Sequence, residues 1–290
     1  MNRRPVFRAL PGRLRAGIVL AAAGLLVATA GPWVVPADPH AVAPAGGALL
    51  PPSWAHPFGT DPLGRDVFAR VVIGGRASLL VGWTSVALAL LLGTLVGVAA
   101  GAGPRWLDRL LMGLTDVFLA VPRLFLVLLL SALLAPSLLL VVVVLGLTGW
   151  MGIARLVRAE ILALREREFV LAARGLGLRG WRLARRHLLP HVVPTLLVAA
   201  ALRLGGTILL ESFLSYLGLG AQEPTVTWGA MIEQGRGYLV DAWWITTFPG
   251  VALTVTVVAY NLLADGLRDL ADPRRPREEV ADERFPAVRP

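Results

Sequence analysis

The stretch Glu168-Phe169-Val170-Leu171-Ala172-Ala173-Arg174-Gly175-Leu176-Gly177, closed further on by Leu189-Pro190, lies in a basic polar segment from Arg155 to His191. The rest of the chain reads as one apolar run after another. Runs on both sides of this segment are long enough to cross a bilayer, so a polar island of this length lies outside the hydrocarbon. Its short amphipathic pattern suits contact with another protein.

Composition supports a membrane chain. Hydrophobic residues make up 56% and charged residues 16% of the 290 positions, against about a quarter charged in soluble domains. There is no cysteine, which excludes disulfides and thiolate metal sites. All 28 basic side chains are arginine. A phosphate-binding loop of the G-x-x-x-x-G-K-[ST] type requires a lysine, so this chain cannot contain one; if ATP drives it, ATP binds elsewhere.

The apolar runs give six spans, at 16–36, 78–102, 117–135, 137–154, 192–213 and 246–265. The uncharged run from Leu124 to Ala154 is too long for one helix and turns at Ala135-Pro136-Ser137. The first span resembles a signal peptide in its arginine-rich start, but its apolar stretch is longer than a signal core and reads as a retained helix. With the N-terminus inside, the inner segments carry 22 arginines and the outer ones 4. The positive-inside bias therefore places both termini and the 155–191 segment in the cytoplasm. The net charge of +9 reflects this topology and anionic lipid, and no nucleic-acid partner is expected. One membrane domain is expected over 56–270. Residues 1–55 supply a tail, the first helix and the start of an outer loop, and 271–290 form a charged, proline-containing disordered tail.

Within the island, 153–176 has helical spacing, ended by Gly175 and Gly177. A second short helix spans Leu178 to Leu188. Leu178, Trp181, Ala184 and Leu188 form an apolar stripe, and Arg179, Arg182 and Arg186 line another face. Leu189-Pro190 is expected to end it before the fifth span. The pattern suits docking into a groove on an acidic partner, or equally lying flat on the inner leaflet.

The order Ala172-Ala173, Gly177, Leu188 and Leu189-Pro190 resembles the EAA motif of permease subunits of bacterial ABC importers. Leu171 stands where that motif has its glutamate, and Glu168 lies three residues earlier. Four further stretches resemble the "C"-type dipeptide, oligopeptide and nickel permeases: His56 to Arg70, Glu211 to Gly220 with Thr227-Trp228-Gly229, Phe248-Pro249-Gly250, and Asn261 to Arg274. The resemblance implies an all-α type I importer fold with six spans and a cytoplasmic coupling helix between spans 4 and 5. It implies a second homologous permease, two ATPase subunits holding ATP and Mg, and an extracytoplasmic binding protein, with no cofactor or catalytic residue in this chain. The implied coupling set is Glu168, Leu171, Ala172, Ala173, Gly177, Leu178, Trp181, Arg182, Ala184, Arg185, Leu188, Leu189 and Pro190. Peptides are the expected cargo, with nickel or another small solute as the alternative.

Arg203 and Glu211 are charges inside the fifth span and candidates to line a pathway, about 80° apart around the helix. Arg123, after Pro122, reads as a break in the third span or as snorkelling. His187 and His191 have the spacing of a metal pair but no visible third ligand. His40 and His56 lie in the outer loop, and the loop 218–241 carries more acids (Glu223, Glu233, Asp241) than its single Arg236. An ion-coupled secondary transporter, the alternative from another class, would need ion-coupling residues mid-membrane and usually shows more spans with repeat symmetry; here there are two possible buried charges and no repeat. An integral-membrane enzyme would need a nucleophile–base pair or a metal triad, and neither is apparent.

Overall fold

The computed structural model describes residues 10–34, 40–41 and 46–271, and within them every element is helical. The arginines of 1–9, the prolines of 36–39 and the charged tail from 272 lie outside the described residues.

Around α2, Val67–Ala102, the other long helices are arranged. At 36 residues it is about 54 Å long, well beyond the 78–102 span expected. Its first turns, from Val67, precede that span. Asp66 caps it, its carboxylate accepting from the Ala69 N–H. Small residues repeat along one face, and Gly93, Gly97 and Gly101 lie against Ile153, Val157 and Ile161 of α6, Trp150–Leu164. A Cβ on Gly97 would stand 2.7 Å from the Ala154 carbonyl oxygen, so only a hydrogen there lets the two backbones touch. α1, Gly12–Val34, packs on α11, Trp244–Ala271, and both lean on α2.

Five helical stretches are long and apolar enough to cross a membrane: Gly12–Gly31, Val67–Ala102, Leu138–Leu164, Gly180–Tyr216 and Trp244–Leu270. The expected third span is a broken pair. α3, Arg105–Ala120, and α4, Arg123–Leu133, meet at 81°, and counting them as one span gives six. Pro122 cannot continue α3 because it has no N–H and restricts Val121 to extended backbone. α3 is tied to α6 by Asp108–Arg158 and Asp116–Arg155. The fourth span is α5, Leu138–Leu147, running into α6 through Thr148-Gly149.

The island departs from its expected form. The helix expected over 153–176 breaks at Arg165–Arg167, leaving α6 and a separate α7, Glu168–Gly175. Leu189-Pro190 does not end the next helix. α8, Gly180–Leu183, widens into a π-turn at Ala184–Leu188 and runs on as α9, Leu189–Tyr216. In the wide turn the Leu189 N–H reaches the Ala184 carbonyl, five residues back. An α-turn would drive the Pro190 ring into the Arg186 carbonyl, and the π-turn relieves that clash.

At the opposite end, four distant stretches close into one cap. Phe58 stacks on Phe248 at 3.9 Å and meets Phe68 edge-on. The Trp244 indole donates to the Thr60 carbonyl, and the Trp228 indole donates to that of Val71. Arg65 bridges Asp61 at 2.6 Å and Glu223 at 2.8 Å, while Arg70 donates to Gln234. α10, Trp228–Gly235, completes the cap, its Thr227 hydroxyl accepting from Ala230.

Candidate coupling surface and transmembrane path

α7 ends in a Schellman turn. The Leu178 N–H donates to the Ala173 carbonyl, and the Gly177 N–H to that of Arg174. Gly177 sits at φ +88° with open space around its Cβ position. The turn swings Leu178 back against the core below α7 and throws Leu176 outward, 86% exposed.

The expected apolar stripe is split by this geometry. Ala184 and Leu188 face inward with Leu183, packed with Val157, Ile161, Val170, Ala173 and Val192. Trp181 alone of the four stays outside, 60% exposed. The free apolar surface is made instead of Phe169, Leu171, Leu176 and Trp181. Helical spacing identified the ridge but could not say which of its residues the chain itself would bury. Glu168, Ala172, Arg182 and Arg185 are exposed beside it, and Leu189 is half-buried with Pro190 exposed. Leu178, Trp181, Arg182, Arg185 and Arg186 line an open groove of ≈ 560 Å³. The surface is therefore an apolar centre fringed by arginines, bolted to the bundle through Leu183, Ala184 and Leu188. Phe169 stacks on His191, whose Nδ1 is hydrogen-bonded to the His187 carbonyl. No group of three or more metal-ligating side chains occurs among the described residues.

The two charges of the fifth span go to different places. Glu211 is 1% exposed. Its carboxylate accepts from the Ser215 hydroxyl at 2.9 Å and from Ser212, and the Ser78 and Thr227 hydroxyls also reach it. Expected as a lining residue, Glu211 is instead enclosed, because Ser78 and Thr227 arrive from α2 and the cap to surround it. Arg203 is half-buried and donates to the Gly149 carbonyl at 2.8 Å. Arg123 does not snorkel, because its Nη2 donates to the Leu145 carbonyl at 3.2 Å, bringing it to the same break between α5 and α6. The sequence offered Arg123 only as a break in the third span or as a snorkelling side chain, and missed this convergence.

In the loop 218–241, Glu223 is engaged by Arg65, whose hydrogen bond holds its carboxyl below the usual glutamate range against the opposing effect of burial. Glu233 lies 3.7 Å from Arg236, so two of the three acids expected to face a receptor are engaged within the chain. His56 is hydrogen-bonded to Asp66 at 2.8 Å.

The sequence profile described as "Binding-protein-dependent transport system inner membrane component" matches residues 93–277. A probable D,D-dipeptide transport system permease protein of Escherichia coli K12 is 42% identical over 226 residues, 78% of this chain and 76% of that protein. A protein of Brucella suis assigned as a peptide transport system permease is 44% identical over 224 residues, 77% and 75% of the two chains. The fold is similar to that of a chain in inward-facing structures of the MetNI methionine ABC transporter, at TM-score 0.57 and 21% identity. That match covers 69% of this chain and 95% of the other.

Proposed function

Because the chain belongs to the family of binding-protein-dependent transport system inner membrane components, and is a multi-pass ABC importer permease whose ATPase is a separate subunit, we propose that it carries di- and oligopeptides inward and takes its stroke through the 168–190 surface. The peptide cargo is supported by the similarity to D,D-dipeptide and peptide permeases. The coupling role rests on one observation: the exposed Trp181 belongs to the same continuous helix, Gly180–Tyr216, that crosses the bundle. A push on its tip is passed to the span along one unbroken helical run. Twenty-two residues separate Trp181 from Arg203, about 33 Å at ~1.5 Å per residue.

In this reading the coupling surface and both termini are cytoplasmic, consistent with the arginine distribution. A second homologous permease completes the path, and two ATPase subunits present a cleft to Trp181 and its arginine fringe. ATP-driven closure of that cleft moves the α8–α9 rod and rocks the spans from inward-open to outward-open. The cap receives an extracytoplasmic binding protein, with Asp241 as the exposed acid left to meet it. Glu211 clamps the cap to α2 and α9, and Arg203 faces the path.

Reconstitution of the chain with its second permease, ATPases and binding protein tests this. Proteoliposomes are given a defined mixture of di- to pentapeptides together with Ni2+, and the lumen is read by mass spectrometry. ATP-dependent accumulation of peptides is expected; accumulation of nickel alone would transfer the chain to the metal branch. Trp181→Asp, and Gly177 replaced by a bulky residue, are expected to abolish uptake and receptor-stimulated ATP hydrolysis while the chain still inserts. Undiminished uptake in both would sink the coupling assignment.

A further inference from the structure

We infer that Arg123 and Arg203 together form a mid-membrane site that receives the carboxylate of the translocating peptide. The inference rests on the peptide reading above and deepens it.

The two side chains come from different elements, α4 and α9, to one turn of backbone. Their acceptors, the carbonyls of Leu145 and Gly149, are four residues apart, about 6 Å along a helix. Nη2 of Arg203 lies 2.7 Å from where a Cβ of Gly152 would stand, and Nη2 of Arg123 3.4 Å from that of Gly149. Both guanidiniums therefore lie over the same glycine-bared backbone. The turn is deep. Gly149 lies against Ala89 of α2, about 20 Å from the inner end of that helix and about 33 Å from its outer end at ~1.5 Å per residue.

A guanidinium has five N–H donors, and each of these is given one backbone carbonyl. Nε of Arg123 is buried with no partner. Among the described residues neither arginine meets a carboxylate, whereas Arg65, Arg155 and Arg158 each do. A charge at the bilayer centre is costly unless something answers it. The carbonyls of Leu145 and Gly149 hold the two cations in place but neutralise neither. The answering charge arrives from outside the chain.

The planar guanidinium fork matches a carboxylate in two-point geometry. Every peptide with a free C-terminus presents that group whatever its side chains, so one fixed site serves many sequences. Phe118 and Trp150 pair edge-on at 6.3 Å at the adjoining ends of α3 and α6, an apolar wall beside the charge. A divalent metal cation would be repelled from the same place.

The test uses the full reconstituted complex and the same peptide mixture. In Arg123→Gln/Arg203→Gln the ATP-driven accumulation of peptide is expected to fall at least tenfold, while receptor-stimulated ATP hydrolysis and the subunit ratio persist. Arg203→Lys, which keeps charge but not the fork, is expected to give intermediate uptake. Unchanged uptake in the double variant overturns the site and leaves the peptide reading intact. Loss of the second permease from the purified double variant also overturns it and assigns the pair to a carboxylate across the subunit interface. Uptake and hydrolysis falling in parallel overturn it in favour of packing. A wild-type complex that accumulates no peptide removes the peptide reading and the site with it.

Discussion

At Gly177 the backbone turns through φ +88° to close α7, and nothing lies within 4 Å of the missing Cβ. Gly177→Ala therefore introduces no clash and pays only for the left-handed backbone, about 1 kcal/mol. Native-state trypsin cleavage after Arg174 or Arg179 is expected to accelerate several-fold in that variant, with the span core unaffected. The glycine was legible from the chain because a helix end needs one. The partner of the turn, Leu178 folding onto the core, was not, since it depends on Val170 and Ala173 being buried by α6. Glu211 shows the same limit. Its charge was visible in the span, but its hydroxyl partners Ser78 and Thr227 lie more than a hundred residues and about sixteen residues away in sequence.

The α2–α6 seam and the α8–α9 rod carry opposite duties at the level of elements. The seam is a rigid strut, since Gly93, Gly97 and Gly101 bring two backbones into contact. Gly97→Leu would force them apart at the Ala154 carbonyl and Val157, at a cost of about 1–3 kcal/mol or more. The expected result is loss of the chain from the membrane fraction at elevated temperature, read as a lower melting midpoint of the purified complex. The rod transmits. Its position was legible because hydropathy marks a span wherever about 20 apolar residues occur. Its continuity was not, because the local rule that proline stops a helix is overridden here by the π-turn and by Leu183, Ala184 and Leu188 anchored in the core. Pro122 obeys the same rule and does break its helix, giving the 81° bend. No wide turn precedes it, and the residues beside it stay exposed.

Over the whole molecule, the outer cap joins stretches that the sequence shows only as separate motifs. Arg65 ties Asp61 to Glu223 across 158 positions, and the Asp61 carboxylate also accepts from the Leu63 and Arg65 amides. Arg65→Ala leaves the buried Asp61 without its main partner, expected to cost about 3–5 kcal/mol and to abolish receptor-stimulated hydrolysis. Glu223 behaves more mildly because it is half exposed. Its folded-state pKa is depressed by Arg65, so its contribution is complete above the ordinary glutamate value and lost only as pH falls through the lower one. Thermal stability of wild type and Glu223→Gln should therefore differ by a constant amount from pH 8 to pH 6 and converge only in strongly acid medium. The exposed Val117, Phe125, Leu129 and Leu133 of α3 and α4 leave a broad apolar flank. The cap's closing pieces, Trp244 and Phe248, are held by Thr60 and Phe58, residues synthesised nearly two hundred positions earlier. Thr60 and Phe58 therefore have no partner of this kind until the chain has been made as far as Phe248. A chain truncated near residue 240 should thus expose 46–66 to externally added protease while its earlier helices are already membrane-embedded.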